Sequence, residues 1–279
     1  MEAWKDGQLF KANELTVSAY DHGFLYGLGF FETFRTYNGE VFLWDEHWSR
    51  LSKALSDFRI AIPYEKQSIL KAVNLLTAAN NGEDGYFRLN VSAGIHDIGL
   101  QPSDYPQPTV IIFRKPLPST VRGKEKSAIW LKTVRNSPES SIRHKSHHFA
   151  NNVQARFEID SLATQEGIFV NAEGFVAEGI TSNVFWVKDG KVYTPSVETG
   201  ILNGTTRKWI LKNCTMDIAE GLYTKSQLEL ADEVFITNAV QEIVPIKSIG
   251  EKQFLGNQGS VYKVLHKQYV ECIEGERRT

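Results

Sequence analysis

Four kinds of group in this sequence could act together on a small molecule: a lysine amine, an enclosed acid, the amides that open a helix, and arginines. The lysine is Lys145, inside Ser141–Ala155 (SIRHKSHHFANNVQA), where an irregular basic loop gives way to a helical pattern. A lysine at such a junction can present its amine to a pocket, whereas a solvated basic loop lays its stems along the surface. The acid is Glu178 in FVAEGITSN, between Val176 and Gly179 at the end of a strand pattern. GILNGTTR sets Gly200 and Gly204 ahead of a helix whose first amides belong to Thr205 and Thr206. Unpaired N–H groups and the helix dipole make such an end receptive to a phosphate. EVFITNAVQEIVP ends a buried strand on Thr237 and Asn238.

An amine nucleophile, an acid suited to a ring nitrogen and amides suited to a phosphate are the equipment for holding pyridoxal 5'-phosphate. In order along the chain, DHGFLYGLGFFETFR, RLNVSAG, RHKSHHFANN, AEGITSN, GILNGTTR and TNAVQEIVP resemble the fold-type IV pyridoxal-phosphate enzymes. That group holds the D-amino-acid and branched-chain aminotransferases, and within it the motifs are most similar to the 4-amino-4-deoxychorismate lyases of Bacillus type. The resemblance implies an α+β fold of two domains. One is a small α/β N-terminal domain; the larger has a mainly antiparallel sheet or pseudo-barrel flanked by helices.

It also implies roles. Lys145 would carry the cofactor and act as the catalytic base, and Glu178 would pair with the protonated ring nitrogen. Arg50, in an H-x-x-R-L pattern with His47 and Leu51, would grip the cofactor phosphate, where a rigid guanidinium fork suits a dianion. Thr205, Thr206 and Asn238 would add phosphate contacts. Phe31 would look across the cofactor, and Arg88 would meet a substrate carboxylate with Tyr86 beside it. The implied reaction converts 4-amino-4-deoxychorismate to 4-aminobenzoate and pyruvate, a step of folate biosynthesis. The alternative is a D-amino-acid or branched-chain aminotransferase, because both reactions begin with the same proton abstraction. Relatives are homodimers, so a homodimer is expected. Leu28 stands where most relatives carry Asp, although a hydrophobic residue there resembles the Bacillus lyases, and Ala239 replaces a frequent hydroxyl residue.

Composition bounds these readings. With 279 residues, 42% hydrophobic and 11% aromatic, the chain can bury a sizeable core in one large or two modest domains. A formal charge of −2 gives no general attraction to nucleic acid or anionic membranes, so neither is an expected partner and an anionic ligand must meet local cations. Two cysteines, Cys214 and Cys272, are too few for a disulfide framework and fit a reducing cytoplasm. His144, His147 and His148 invite a metal reading, but no second cluster completes a coordination shell, so no metal is expected. No signal peptide or membrane-length apolar run is apparent.

The elements that must carry these groups follow from periodicity. Asp6 and Gly7 suit an opening hairpin. Asp45 is read as the N-cap of a helix with Trp48, Leu51, Leu55 and Phe58 on one face, and a second helix runs from Glu65 to about Ala79. Tyr86–Gly94 alternates as a strand, with Arg88, Asn90 and Ser92 on one side. RKPLPSTVRGKEK reads as the linker, which puts a small domain at 1–117, a large one at 118–279, and a cleft between them suited to a cofactor. Phe149 to Glu166 is helical by pattern, GIFVN through KVYTP reads as an antiparallel meander, and Gln258 to Ile273 as a closing helix.

Overall fold

In the computed structural model, which describes residues 1–100, 104–117 and 122–276, the chain opens as a hairpin. Asp6 and Gly7, at φ 46° and 97°, turn it between β1 (Glu2–Lys5) and β2 (Gln8–Lys11). The hairpin belongs to the first of two units, formed by Met1–Pro118 and His144–His148; the second is Ser119–Arg143 and Phe149–Thr279. The boundary expected near residue 118 lies outside the described residues.

The first unit continues with α1 (His22–Leu25), β3 (Gly29–Tyr37), β4 (Glu40–Val41), α2 (Trp44–Asp57), α3 (Lys66–Ala79), β5 (Gly85–Ser92) and β6 (Thr109–Pro116). Its six strands pair antiparallel in the order β2-β1-β6-β5-β3-β4. The period of two in β5 puts Phe87, Leu89 and Val91 into the core and leaves Tyr86, Arg88 and Asn90 on the more open face. Leu51, Ala54 and Leu55 of α2 and Ile69, Val73 and Leu76 of α3 join that core with Phe34 and Phe87. Full burial of each large side chain contributes roughly 1.5–3 kcal/mol. Asp45 does not cap α2. Leu43, left-handed at φ 56°, is the cap residue, and Asp45 lies in the first turn, paired with Lys66, where a carboxylate favours the helix dipole.

The second unit contains β7 (Lys126–Trp130), α4 (Ala150–Arg156), β8 (Gln165–Val170), β9 (Val176–Gly179), β10 (Asn183–Lys188), β11 (Lys191–Pro195) and α5 (Thr205–Asn213). It ends with β12 (Ile218–Gly221), α6 (Lys225–Leu228), β13 (Glu233–Asn238), β14 (Glu242–Ile249), β15 (Lys252–Gln253) and α7 (Ser260–Glu276). Eight strands run β12-β11-β10-β13-β14-β7-β8-β9, with β15 beside β14. β9, at one end of this order, also meets β10 and β11 near the other, so the sheet curls on itself. The protein is an α+β fold.

Two expectations for this unit are corrected. The helix after the basic loop stops at Arg156, because Val153 and Phe157, the apolar stripe that suggested a longer one, are 50% and 77% exposed and bury little. Arg156 instead bonds the carbonyls of Ile159 and Asp160 as the chain turns towards β8. The meander is also broken: β8–β9 and β10–β11 are hairpins, but β13, β14 and β7 lie between them, with β14–β7 and β7–β8 parallel. Parallel pairing between distant segments leaves no local turn signal in a sequence. The closing helix begins at Ser260, where buried Glu233 accepts hydrogen bonds from the amides of Val261 (3.1 Å) and Tyr262 (2.9 Å). Among the described residues no helix is long and apolar enough to cross a membrane.

Candidate active site

In the first unit, β3 holds the Lys145 segment by its backbone. The Phe31 amide donates to the Lys145 carbonyl at 2.9 Å, the His147 amide donates to the Gly29 carbonyl at 2.9 Å, and Phe30 bridges Ser146. This anchoring leaves the Lys145 side chain to run over Phe31, with Nζ 4.6 Å from the ring centroid. The guanidinium carbon of Arg88 lies 3.6 Å from the same centroid. Cations settle over a ring face because the π system is negative there.

Arg88 is steadied by Asn90 Oδ1 at 3.0 Å and by the Tyr86 side chain, and among the described residues it has no carboxylate partner. Burial lowers its pKa from the ordinary arginine value. A largely desolvated guanidinium without a carboxylate is a receptor for an anion. The structure thus brings together Phe31, Tyr86, Arg88 and Lys145 from three separate stretches of sequence.

The three histidines around Lys145 diverge. His144 lies 3.2 Å from Asp57 and edges onto Phe30 and Phe58, while His148 reaches the Tyr26 carbonyl at 3.2 Å. His147 stacks on Phe31, and burial, reinforced by Arg88, pushes its pKa down to about 4, so its imidazole is neutral at physiological pH. A Cβ at Gly29 would come within 2.5 Å of the His147 ring, which explains a glycine at that point of the motif. Among the described residues no three His, Cys, Asp or Glu side chains gather as a metal ion would require.

Arg50 also belongs to the first unit. Its Nε and Nη2 donate to the two carboxylate oxygens of Glu32 at 2.7 and 2.6 Å.

In the second unit Glu178 lies next to the end of β9 and is 5% exposed. Its Oε1 accepts from Arg135 Nε at 2.9 Å, its Oε2 from the Leu202 amide at 3.0 Å, and Arg143 faces it at 4.0 Å. Burial, then the neighbouring Arg135, pulls the Arg143 pKa down to about 10. Asn183, at the start of β10, donates to the Leu202 carbonyl at 2.7 Å. The acid and this amide therefore fasten the loop that leads into α5.

Gly204 is the cap residue of α5, with no side-chain cap, and a Cβ there would sit 2.2 Å from Asn183 Oδ1. Thr205 and Thr206 open the helix and are buried. α5 packs on β13, where the buried Thr237 hydroxyl has no hydrogen-bond partner among the described residues. Asn238 serves the chain locally, since its Oδ1 accepts from the amides of Val240 (3.0 Å) and Gln241 (2.7 Å) and closes the turn after β13.

Sequence reasoning missed Glu32, Arg135 and Asn183. Glu32 had a signal, since one acid inside the apolar run FFETF must find a buried partner. Asn183 stood within AEGITSN with no role of its own. Arg135 had no signal, because its partner lies 43 residues away.

Comparison with known proteins yields a match to the model of the family described as amino-transferase class IV, over residues 29–249. An aminodeoxychorismate lyase of Bacillus subtilis (strain 168) is 42% identical over 274 residues, covering 96% of this chain and 94% of the relative. A branched-chain aminotransferase of Thermoproteus uzoniensis, solved with norvaline, superposes with a TM-score of 0.88 at 28% identity, covering 99% of this chain and 95% of that one. A T.th. branched-chain aminotransferase solved with pyridoxamine 5'-phosphate gives a TM-score of 0.86 at 25% identity, over 99% and 95% of the two chains.

Proposed function

Because this chain belongs to the class IV aminotransferase family, we propose that it is a pyridoxal-phosphate lyase. It converts 4-amino-4-deoxychorismate to 4-aminobenzoate and pyruvate, in folate biosynthesis. The observation that carries the reading is the 42% identity, over nearly the whole of both chains, to a Bacillus subtilis aminodeoxychorismate lyase.

The residues fit the cofactor. A nine-residue helix opens without a side-chain cap, and the orphaned Thr237 hydroxyl lies on the strand packed against it; both are what a phosphate group would satisfy. By the family resemblance, Arg50, Lys145, Glu178, Thr205, Thr206 and Asn238 are the residues that would hold it. Bound pyridoxal phosphate supplies an electron sink for the pair left when a proton departs from the carbon bearing the amine.

Each protein group then has a defined role. Lys145 Nζ would carry the cofactor, and its free amine would take the proton from the carbon bearing the substrate's amine. The bond from ring carbon to enolpyruvyl oxygen breaks, the ring becomes aromatic, and Lys145 returns a proton to the departing enolate to give pyruvate. Glu178 would pair with the protonated ring nitrogen of the cofactor, and Arg135 holds that side chain in its orientation through the Nε to Oε1 hydrogen bond. Arg88 meets a substrate carboxylate, with Phe31 as the apolar wall beside it. The exposed apolar side chains of Phe24, Ile98 and Leu100 (74%, 67% and 82%) support a homodimer.

The deciding experiment is incubation of purified, cofactor-loaded protein with 4-amino-4-deoxychorismate. Fluorescent 4-aminobenzoate and an equal amount of pyruvate are expected, and no release rejects the proposal. Arg88→Met should raise KM about 10- to 100-fold with a smaller change in kcat, the loss of one charge-assisted contact. An unchanged KM in initial-rate assays would remove Arg88 from the site. A second reading, a D-amino-acid or branched-chain aminotransferase, is favoured by the TM-score of 0.88 to the norvaline-bound enzyme. Stoichiometric loss of the cofactor's visible absorbance on adding an amino acid would support it.

A further inference from the structure

β3 sets Phe31 and Glu32 side by side, and consecutive strand residues face opposite ways. Phe31 meets Lys145 through its backbone amide and its ring. Glu32, fully buried, turns to α2. Its Oε1 accepts from Arg50 Nε at 2.7 Å, and its Oε2 from Arg50 Nη2 at 2.6 Å and His47 Nδ1 at 2.7 Å. Burial would raise the Glu32 pKa, but the Arg50 charge and then His47 outweigh it and hold the acid at about 2. Burial also lowers the His47 pKa, against the opposing pull of the Glu32 carboxylate.

A carboxylate engaged by both Nε and Nη2 locks the plane of a guanidinium, which a single contact would leave free to rotate. Arg50 is 12% exposed, so its bearing is set by this pair more than by water. Resting on the reading that Arg50 grips the cofactor phosphate, we infer that Glu32 is a positioning residue for that grip. By fixing the plane of Arg50 it sets the protein's preference for the phosphorylated over the unphosphorylated cofactor. One strand thereby aligns both ends of the cofactor's holding groups in the first unit, the amine through Phe31 and the guanidinium through Glu32.

The test uses full-length protein reconstituted separately with pyridoxal 5'-phosphate and with pyridoxal, the dissociation constants read from absorbance titrations. Wild type should prefer the phosphorylated form strongly. Glu32→Gln keeps the size but loses the second acceptor and the charge. It should weaken pyridoxal-phosphate binding about 10- to 100-fold, as loss of an outer orienting partner does, and leave pyridoxal binding within about twofold. Equal weakening of both ligands would mean a merely structural role and would overturn the inference. Glu32→Asp, which keeps the charge on a shorter stem, should recover part of the preference. A Glu32→Asp protein with no more preference than Glu32→Gln would also overturn it.

A double variant guards against misfolding. In the Arg50→Lys background, adding Glu32→Gln should cause no further loss of phosphate preference, and a further loss as large as that in wild type counts against the proposal. The two levels separate cleanly. A wild type that binds neither ligand, or both equally, defeats the cofactor reading itself, whereas a wild-type preference that survives Glu32→Gln defeats only the role of Glu32.

Discussion

Lys145→Ala should leave a folded protein that releases 4-aminobenzoate on the order of 10⁴-fold more slowly than wild type, the upper range for loss of a positioned proton-transfer group. The substitution removes the amine proposed both to carry the cofactor and to move the proton. Folding should survive because the segment is anchored by main-chain bonds, Phe31 N to Lys145 O and His147 N to Gly29 O, which do not use the side chain. Stopped-time fluorescence of the product gives the rate, and far-ultraviolet circular dichroism with thermal melting checks the fold. Lys145→Arg should be equally inactive, since a guanidinium stays protonated and cannot serve as the base. A rate within tenfold of wild type for either variant would remove Lys145 from the chemistry.

The second large effect is on stability. Glu178→Ala should destabilise the protein by about 3–5 kcal/mol, the cost of stranding a buried cation after its partner is deleted. The acid and Arg135 are both about 5% exposed, and Arg143 also faces the acid. Its removal leaves guanidinium charge in a dry environment and frees the Leu202 amide. Glu178→Gln should lose less, because an amide oxygen can still accept from Arg135 or Leu202, yet it should still depress activity. Urea unfolding monitored by tryptophan fluorescence measures the difference. A loss under about 1 kcal/mol for the alanine variant would mean that the pair is solvated, as exposed pairs are.

Much of the architecture was legible because short-range periodicity decides which side of an element is apolar. The alternation around Arg88 and the spacing of Ile69, Val73 and Leu76 needed no tertiary information. The pattern failed where apolar residues at helical spacing were left on the surface. Val153 and Phe157 continued a stripe with nothing to pack against, and the chain turned at Arg156. It failed again in the curled sheet, where β7 pairs parallel with both β14 and β8 across long stretches of chain. Asp45 was the right residue type placed too late to cap, because the left-handed Leu43 had already begun the helix.

The site divides in the same way. Residue types and motif order pointed to the family and nominated the amine, the acid and the glycine-led helix, because each is a local pattern written in a few adjacent positions. Three-dimensional packing decided the rest. It set residues 144–148 against β3 of the first unit and gathered Tyr86 and Arg88 around the ring under Lys145. It also chose Glu32 and Arg135 as counter-charges for Arg50 and Glu178. Those pairings join residues 18 and 43 positions apart. A buried charge demands an opposite partner, but only the folded chain determines which one comes within reach.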